Sequence, residues 1–129
     1  PAILSSGIPA LGICYGHQAL ALAWGARITK KKLLKRNETI RVITSKGILS
    51  NMGLFFAMHE SHAEHVVKDQ DLERHFDVLA CSDSCKVEVI QHRERPLWGV
   101  QFHPERSGVT GKSIAANLAR LLSDPKTKI

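Results

Sequence analysis

Five residues, Gly12-Ile13-Cys14-Tyr15-Gly16, constrain this chain more than any other stretch. A short apolar run at 10–14, of buried-strand type, leads into them. A helix-forming stretch at 18–24, closed by Gly25, leads out. The order is strand, sharp turn, helix, with a cysteine in the G-x-nucleophile-x-G spacing of a nucleophile elbow. The glycines have a steric purpose there: a strained turn holds the nucleophile outward, and strand and helix must pack closely around it. Such a turn also sets the sulfur beside a helix N-terminus, whose positive dipole end is expected to lower the thiol pKa. A buried cysteine that merely ends an apolar strand would carry the same letters, so the motif needs support from elsewhere in the chain.

The rest of the pattern reads as one α/β domain spanning residues 1–129, without repeats or linkers. Residues 1–7 read as the tail of a helix ending at Gly7, with Pro9 barring its continuation. Strands are expected at 39–43, 54–58, 76–80, 86–90 and 97–102, and a polar turn precedes the last. The final helix is expected to be capped by Thr110 and to present Ile114, Leu118, Leu121 and Leu122 on one face. A buried parallel strand at 10–14 needs a neighbour on each side. Later segments must supply both, or part of the sheet lies outside this sequence.

His103 and Glu105 supply the support that Cys14 needs. They lie two apart, in a segment read as extended, with Pro104 holding the backbone so that both side chains project to one side. Histidine can take the thiol proton and return it to a leaving group, while the carboxylate fixes the imidazole tautomer. The stretch His59-Glu60-Ser61-His62-Ala63-Glu64-His65 invites a metal reading but fails the H-E-x-x-H spacing. Its histidines would not converge from an extended segment, so no metal is expected. Cys14, Cys81 and Cys85 are three in number, an odd count, and the last two read as structural or incidental.

Charge adds little. The net +6 is concentrated in Lys30-Lys31-Lys32-Leu33-Leu34-Lys35-Arg36. Without interleaved aromatics or a nucleic-acid motif, this run reads as a solvated loop or a lysine-protected edge strand. No apolar run approaches the ~20 residues that span a bilayer, so neither membrane nor nucleic acid is an expected partner. The expected location is the cytoplasm.

At this point a family resemblance enters. Pro9-Ala10-Leu11-Gly12-Ile13-Cys14-Tyr15-Gly16-His17-Gln18 resembles the nucleophile motif of class I (triad) glutamine amidotransferases. Gly99-Val100-Gln101-Phe102-His103-Pro104-Glu105 resembles their second signature. The likeness runs in order from about Pro9 to Leu122. It implies a flavodoxin-like three-layer αβα sandwich and the hydrolysis of L-glutamine to glutamate and ammonia through a thioester on Cys14. His103 would be the acid/base and Glu105 its orienter. The backbone N–H of Tyr15 would bind the oxyanion, Gln18 would contact glutamine, and Ser61 and His62 would hold its amino-acid end. Glu60-Ser61-His62-Ala63-Glu64-His65-Val66, together with 79–83 and 87–92, resembles the amidotransferase subunit of GMP synthetases, with glutamate in place of an aspartate. The ending His103-Pro104-Glu105-Arg106-Ser107 is nearer to amidotransferases of histidine and of folate or tryptophan precursor synthesis.

The implied glutaminase needs no cofactor of its own. ATP and Mg would belong to the synthetase partner that accepts the ammonia. The family also places strands and a glycine-rich oxyanion loop ahead of its cysteine strand, and nothing upstream of Cys14 matches them, so the chain reads as N-terminally incomplete. Two other functions fit the same residues: a non-catalytic binding subunit of an amidotransferase complex, and a γ-glutamyl peptidase-like hydrolase of the same fold.

Overall fold

A mixed six-stranded sheet organises the chain, in the order β1-β6-β5-β4-β2-β3. The structure, a computed structural model, describes residues 7–123. The helix tail expected at 1–7 therefore lies almost wholly outside the described residues. The strands are β1 (Ala10–Ile13), β2 (Ile28–Val42), β3 (Phe55–Val66), β4 (Phe76–Cys81), β5 (Val89–His92) and β6 (Leu97–Val100). Helix α1 (Tyr15–Ala23) follows β1, the single turn α2 (Gln70–Glu73) precedes β4, and α3 (Gly108–Leu122) closes the described chain. Among the described residues only the β1–β6 pair is parallel; the other ladders are antiparallel.

Side-chain alternation builds the layers. On β6, Leu97 joins an apolar cluster with Leu20 and Ala21 of α1, while Trp98 and Val100 join another with Ile114 of α3. Neighbouring β5 does the same, with Val89 in the α3 cluster and Ile90 in the α1 cluster. The sheet is thus covered on both faces, a three-layer α/β arrangement as expected. β1 forms an edge: among the described residues it pairs with β6 alone.

Four expectations need correcting. The strands expected at 39–43 and 54–58 are parts of much longer β2 and β3, which pair with each other from Ile28↔Val66 to Arg41↔Phe55. Cross-strand pairing stabilises polar residues that local propensity would not place in a strand. The strand expected at 86–90 joins the ladder only at Val89. Helix α3 begins at Gly108 rather than being capped by Thr110; its N-cap position is Ser107, whose hydroxyl bonds elsewhere. Ile114, Leu118 and Leu121 pack inward as expected, but Leu122 is largely exposed. Asn117 takes a buried place on the same face and donates to the carbonyls of Ile48 and Ser50, both at 2.8 Å.

The basic run lies on β2. Over these residues β2 pairs with β3 on one side, and β4 reaches it only at Arg41 and Val42. All five lysines and arginines of the run are exposed, so this is a charged open edge of the kind expected.

Candidate active site

Cys14 stands between the last residue of β1 and the first of α1, with φ 52 and ψ −100. A non-glycine residue in this region is strained, and such strain is the signature of an elbow. Its N–H donates to Val100 O at 2.9 Å, and its carbonyl accepts Gln18 N–H at 3.1 Å, so strand ladder and helix both anchor it. Gly12 explains the tightness. A Cβ there would collide with the backbone of Gly16 in the first turn of α1. A Cβ on Gly16 would meet nothing, so the two glycines of the motif are unequal: Gly12 must be bare, and Gly16 is the backbone it packs against.

The Cys14 thiol is buried, with Ser61 O and Gln101 Nε2 each 3.7 Å from the sulfur. Burial pushes the thiol pKa up, the Tyr15 N–H pulls it down, and the charges of Glu105 and Glu60 push it up again. The net direction is upward. The helix N-terminus does act as expected, through that N–H, but desolvation outweighs it. A thiolate at this position would need a base to form it.

A cavity of about 230 Å³ opens over the sulfur, lined by Cys14, Tyr15, Gln18, Leu33, Ser61, His62, Ala63 and Glu64. Five of the residues expected in the site are thus brought together. Gln18 is more committed than expected: its side-chain amide donates to Glu64 O at 2.9 Å and to Gln101 Oε1 at 3.1 Å. Gln101, quoted in the second motif without a role, links that amide to the sulfur.

His103 and Glu105 leave the carboxyl end of β6, the strand parallel to and beside β1. They meet as expected, with His103 Nδ1 2.8 Å from Glu105 Oε2. They do so through a 3-10 turn, Pro104–Arg106, rather than an extended segment. Proline suits the first position of such a turn, where its missing N–H costs nothing. Burial pushes the Glu105 carboxyl up, but the His103 hydrogen bond and charge hold it below the usual range. The turn is locked to β3: His103 N–H donates to His59 O at 2.8 Å, and Ser107 Oγ bridges His59 N–H and His103 O. Gly111 lets α3 close on it, since a Cβ there would collide with the backbone of Pro104. Among the described residues no hydrogen bond joins the Cys14 thiol to His103.

The family model for class-I glutamine amidotransferases matches residues 1–120. The chain belongs to that family. It is 36% identical over 120 residues to the glutamine-hydrolysing GMP synthase subunit of Methanococcus aeolicus, covering 92% of this chain and 62% of that protein. The corresponding subunit from Methanosarcina acetivorans is 43% identical over 101 residues, 78% of this chain and 52% of that one. The chain thus spans 52% to 62% of the length of these curated relatives. Among solved structures, a candidate GMP synthase subunit from Thermoplasma acidophilum superposes with a TM-score of 0.82 at 30% identity, over 90% of this chain and 58% of that one. A glutamine amidotransferase from Thermotoga maritima shares the fold, with a TM-score of 0.71 at 22% identity, over 98% of this chain and 55% of that one.

As an amidotransferase domain, the chain contains a second buried cluster that sequence reasoning misses. His62 and His65 do converge, with ring centroids 4.6 Å apart. Beside them the β2–β3 register shifts, with residues 31–33 of β2 opposite Ala63 of β3. Among the described residues no group of three metal-ligating side chains gathers there or elsewhere. His62 Nε2 instead lies 2.7 Å from Glu60 Oε1. A signal exists in the sequence: the strand period from buried Met58 places Glu60 and His62 on the inward face. No helix among the described residues is long and apolar enough to cross a membrane.

Proposed function

We propose that this chain hydrolyses L-glutamine, with Cys14 as nucleophile, His103 as acid/base and Glu105 as its orienter. One observation carries the reading: a cysteine strained to φ 52 at the mouth of a strand–helix turn, facing a cavity of about 230 Å³. The raised thiol pKa makes a base necessary, and His103 stands at the end of the adjacent parallel strand. Catalytic hydrogen bonds of this kind commonly tighten only with substrate in place.

His103 takes the thiol proton and the sulfur attacks the side-chain amide carbon. The oxygen of the tetrahedral adduct faces the Tyr15 N–H, already turned toward the sulfur. The C–N bond breaks, His103 returns the proton, and ammonia leaves a γ-glutamyl thioester. His103 then takes a proton from water, whose attack releases glutamate and restores the thiol. Side chains and water complete the cycle, so no cofactor enters it. Gln18, Ser61 and His62 line the space that glutamine would fill. The names of the relatives support a synthetase partner that accepts the ammonia in GMP synthesis; we assign ATP and Mg to that partner and the reaction to the cytoplasm.

The test is to incubate the chain with the glutamine-mimicking electrophile diazo-oxo-norleucine and weigh the intact protein, with Cys14→Ala as control. A single adduct, absent in the variant, is expected. An unlabelled wild type with partner binding intact would favour the binding-subunit reading. Faster cleavage of γ-glutamyl peptides than of glutamine would favour the peptidase.

A further inference from the structure

Glu60 of β3 and Glu88, one residue before β5, are both completely buried. Each carboxyl shifts the other's pKa as a hydrogen-bonding neighbour would. One end of the chain they form is His62, whose Nε2 faces Glu60 Oε1 at 2.7 Å and whose Nδ1 faces Glu64 O at 3.2 Å. At the other end, Ser82 Oγ donates to Glu88 Oε2 at 2.6 Å and accepts the Cys85 N–H at 3.1 Å. The two carboxylate oxygens that find no N–H or O–H donor are Glu60 Oε2 and Glu88 Oε1.

Proton counting decides the state of this chain. A carbonyl only accepts, so His62 Nδ1 carries a hydrogen. Two carboxyls that bond each other need one proton between them, and the Glu60–His62 contact needs another. Two carboxylates here would leave an uncompensated charge in the interior, which is strongly unfavourable. The neighbours offer no rescue. Burial first, then the charge of His62, pushes His65 down to about 4; burial pushes His17 of α1 down to about 4 as well. Lys31 of β2 acts on His65, while Glu38 of the same strand adds negative charge toward Glu88. The carboxylate belongs beside the imidazole, hence on Glu60. The proton between the acids belongs to Glu88, whose other oxygen already accepts from Ser82.

We propose that Glu88 is a neutral carboxylic acid donating to the Glu60 carboxylate, which pairs with a His62 imidazolium, and that these groups position the cavity floor beneath Cys14. Their reach to the sulfur is short. Ser61 lies between Glu60 and His62, its carbonyl is the thiol's acceptor, and Ser61 and His62 both line the cavity. Glu60 and Glu88 are therefore positioning residues that act through the Ser61–His62 backbone. Their directions agree: burial drives the Glu88 carboxyl well up, whereas His62 holds Glu60 below the usual range against burial. The inference rests on the Cys14 cavity and does not require glutamine to be the substrate.

Two measurements on the whole chain test it. The first is infrared difference spectroscopy with isotope-labelled glutamate between about pH 6 and 8, where free carboxyls are ionised. Wild type is expected to show the C=O band of a protonated carboxyl, and Glu88→Gln to lose it. The second is the pH profile of Cys14 alkylation by iodoacetamide, with the site located by peptide mass. Glu88→Gln keeps a donor toward Glu60 and is expected to react within about twofold of wild type, whereas Glu60→Gln shifts the midpoint by about one unit, or tenfold in rate. Absence of the band, or equal profiles for the two variants, would overturn the proposal. If Glu60→Gln does not fold, the band and the Glu88→Gln profile still decide. Failed labelling by the glutamine mimic alongside a normal iodoacetamide profile would count against the glutaminase and leave this proposal standing.

Discussion

The molecule builds a histidine–glutamate pair at i, i+2 spacing twice, with nearly equal contacts and opposite surroundings. His103 Nδ1 lies 2.8 Å from Glu105 Oε2, with side chains 16% and 51% exposed. His62 Nε2 lies 2.7 Å from Glu60 Oε1, with side chains 2% and 0% exposed. In the buried pair both ring nitrogens are spoken for, one by Glu60 and the other by the Glu64 carbonyl. In the exposed pair, among the described residues, no hydrogen bond holds the second nitrogen. The distance between an imidazole and a carboxylate therefore says little about its work. A histidine with one nitrogen oriented and one open can move a proton; a histidine with both engaged can only hold a structure together.

Substitution should separate the two pairs. His103→Asn should cut the proposed glutaminase activity by ~10²–10⁴, the usual worth of a positioned acid/base, and leave the thermal midpoint nearly unchanged; undiminished ammonia release would remove His103 from the mechanism. Glu60→Ala should do the reverse where stability is measured. It leaves His62 without its buried hydrogen-bond partner, and denaturant titration should show a loss of about 3–5 kcal/mol.

Acid probes the buried side as well. His17 is wholly buried and neutral, its pKa lowered by burial from 6.5 to about 4. The unfolded chain binds the proton first, so stability is complete above the unfolded value and declines as pH falls through the window between the two. The expected loss is about 3 kcal/mol, read from denaturant midpoints at neutral pH and near the lower value. A flat profile would mean that the ring takes up its proton in the folded state. Glu105→Ala should have the smallest effect on stability, under about 1 kcal/mol, because its carboxylate is half exposed; a larger loss would make this pair structural too.

Local signals make the elbow and the exposed pair legible. The elbow is visible because glycine spacing, an apolar run and a helix former coincide within a few residues around Cys14. His103 and Glu105 are visible as a pair, but the turn that joins them is not, since proline suits a turn and an extended segment equally. Glu88, which joins the buried pair, is hidden for a physical reason. Glu88 becomes a partner of Glu60 only when β5 and β3 are brought together, and single-sequence patterns carry no such long-range information. The lengths of β2 and β3 are lost in the same way, because each is the other's reason for being extended.

The open edge of β2 has one last consequence, for the company this protein keeps. Over the basic run, this 15-residue strand has a row of backbone donors and acceptors that no other strand claims among the described residues, a template on which a second copy could grow. Lys30, Lys31, Lys32, Lys35 and Arg36 turn that template into a surface that repels its own image. A run that could pass for a nucleic-acid patch is, on this geometry, a charge barrier against edge-to-edge pairing of β2 with its own copy.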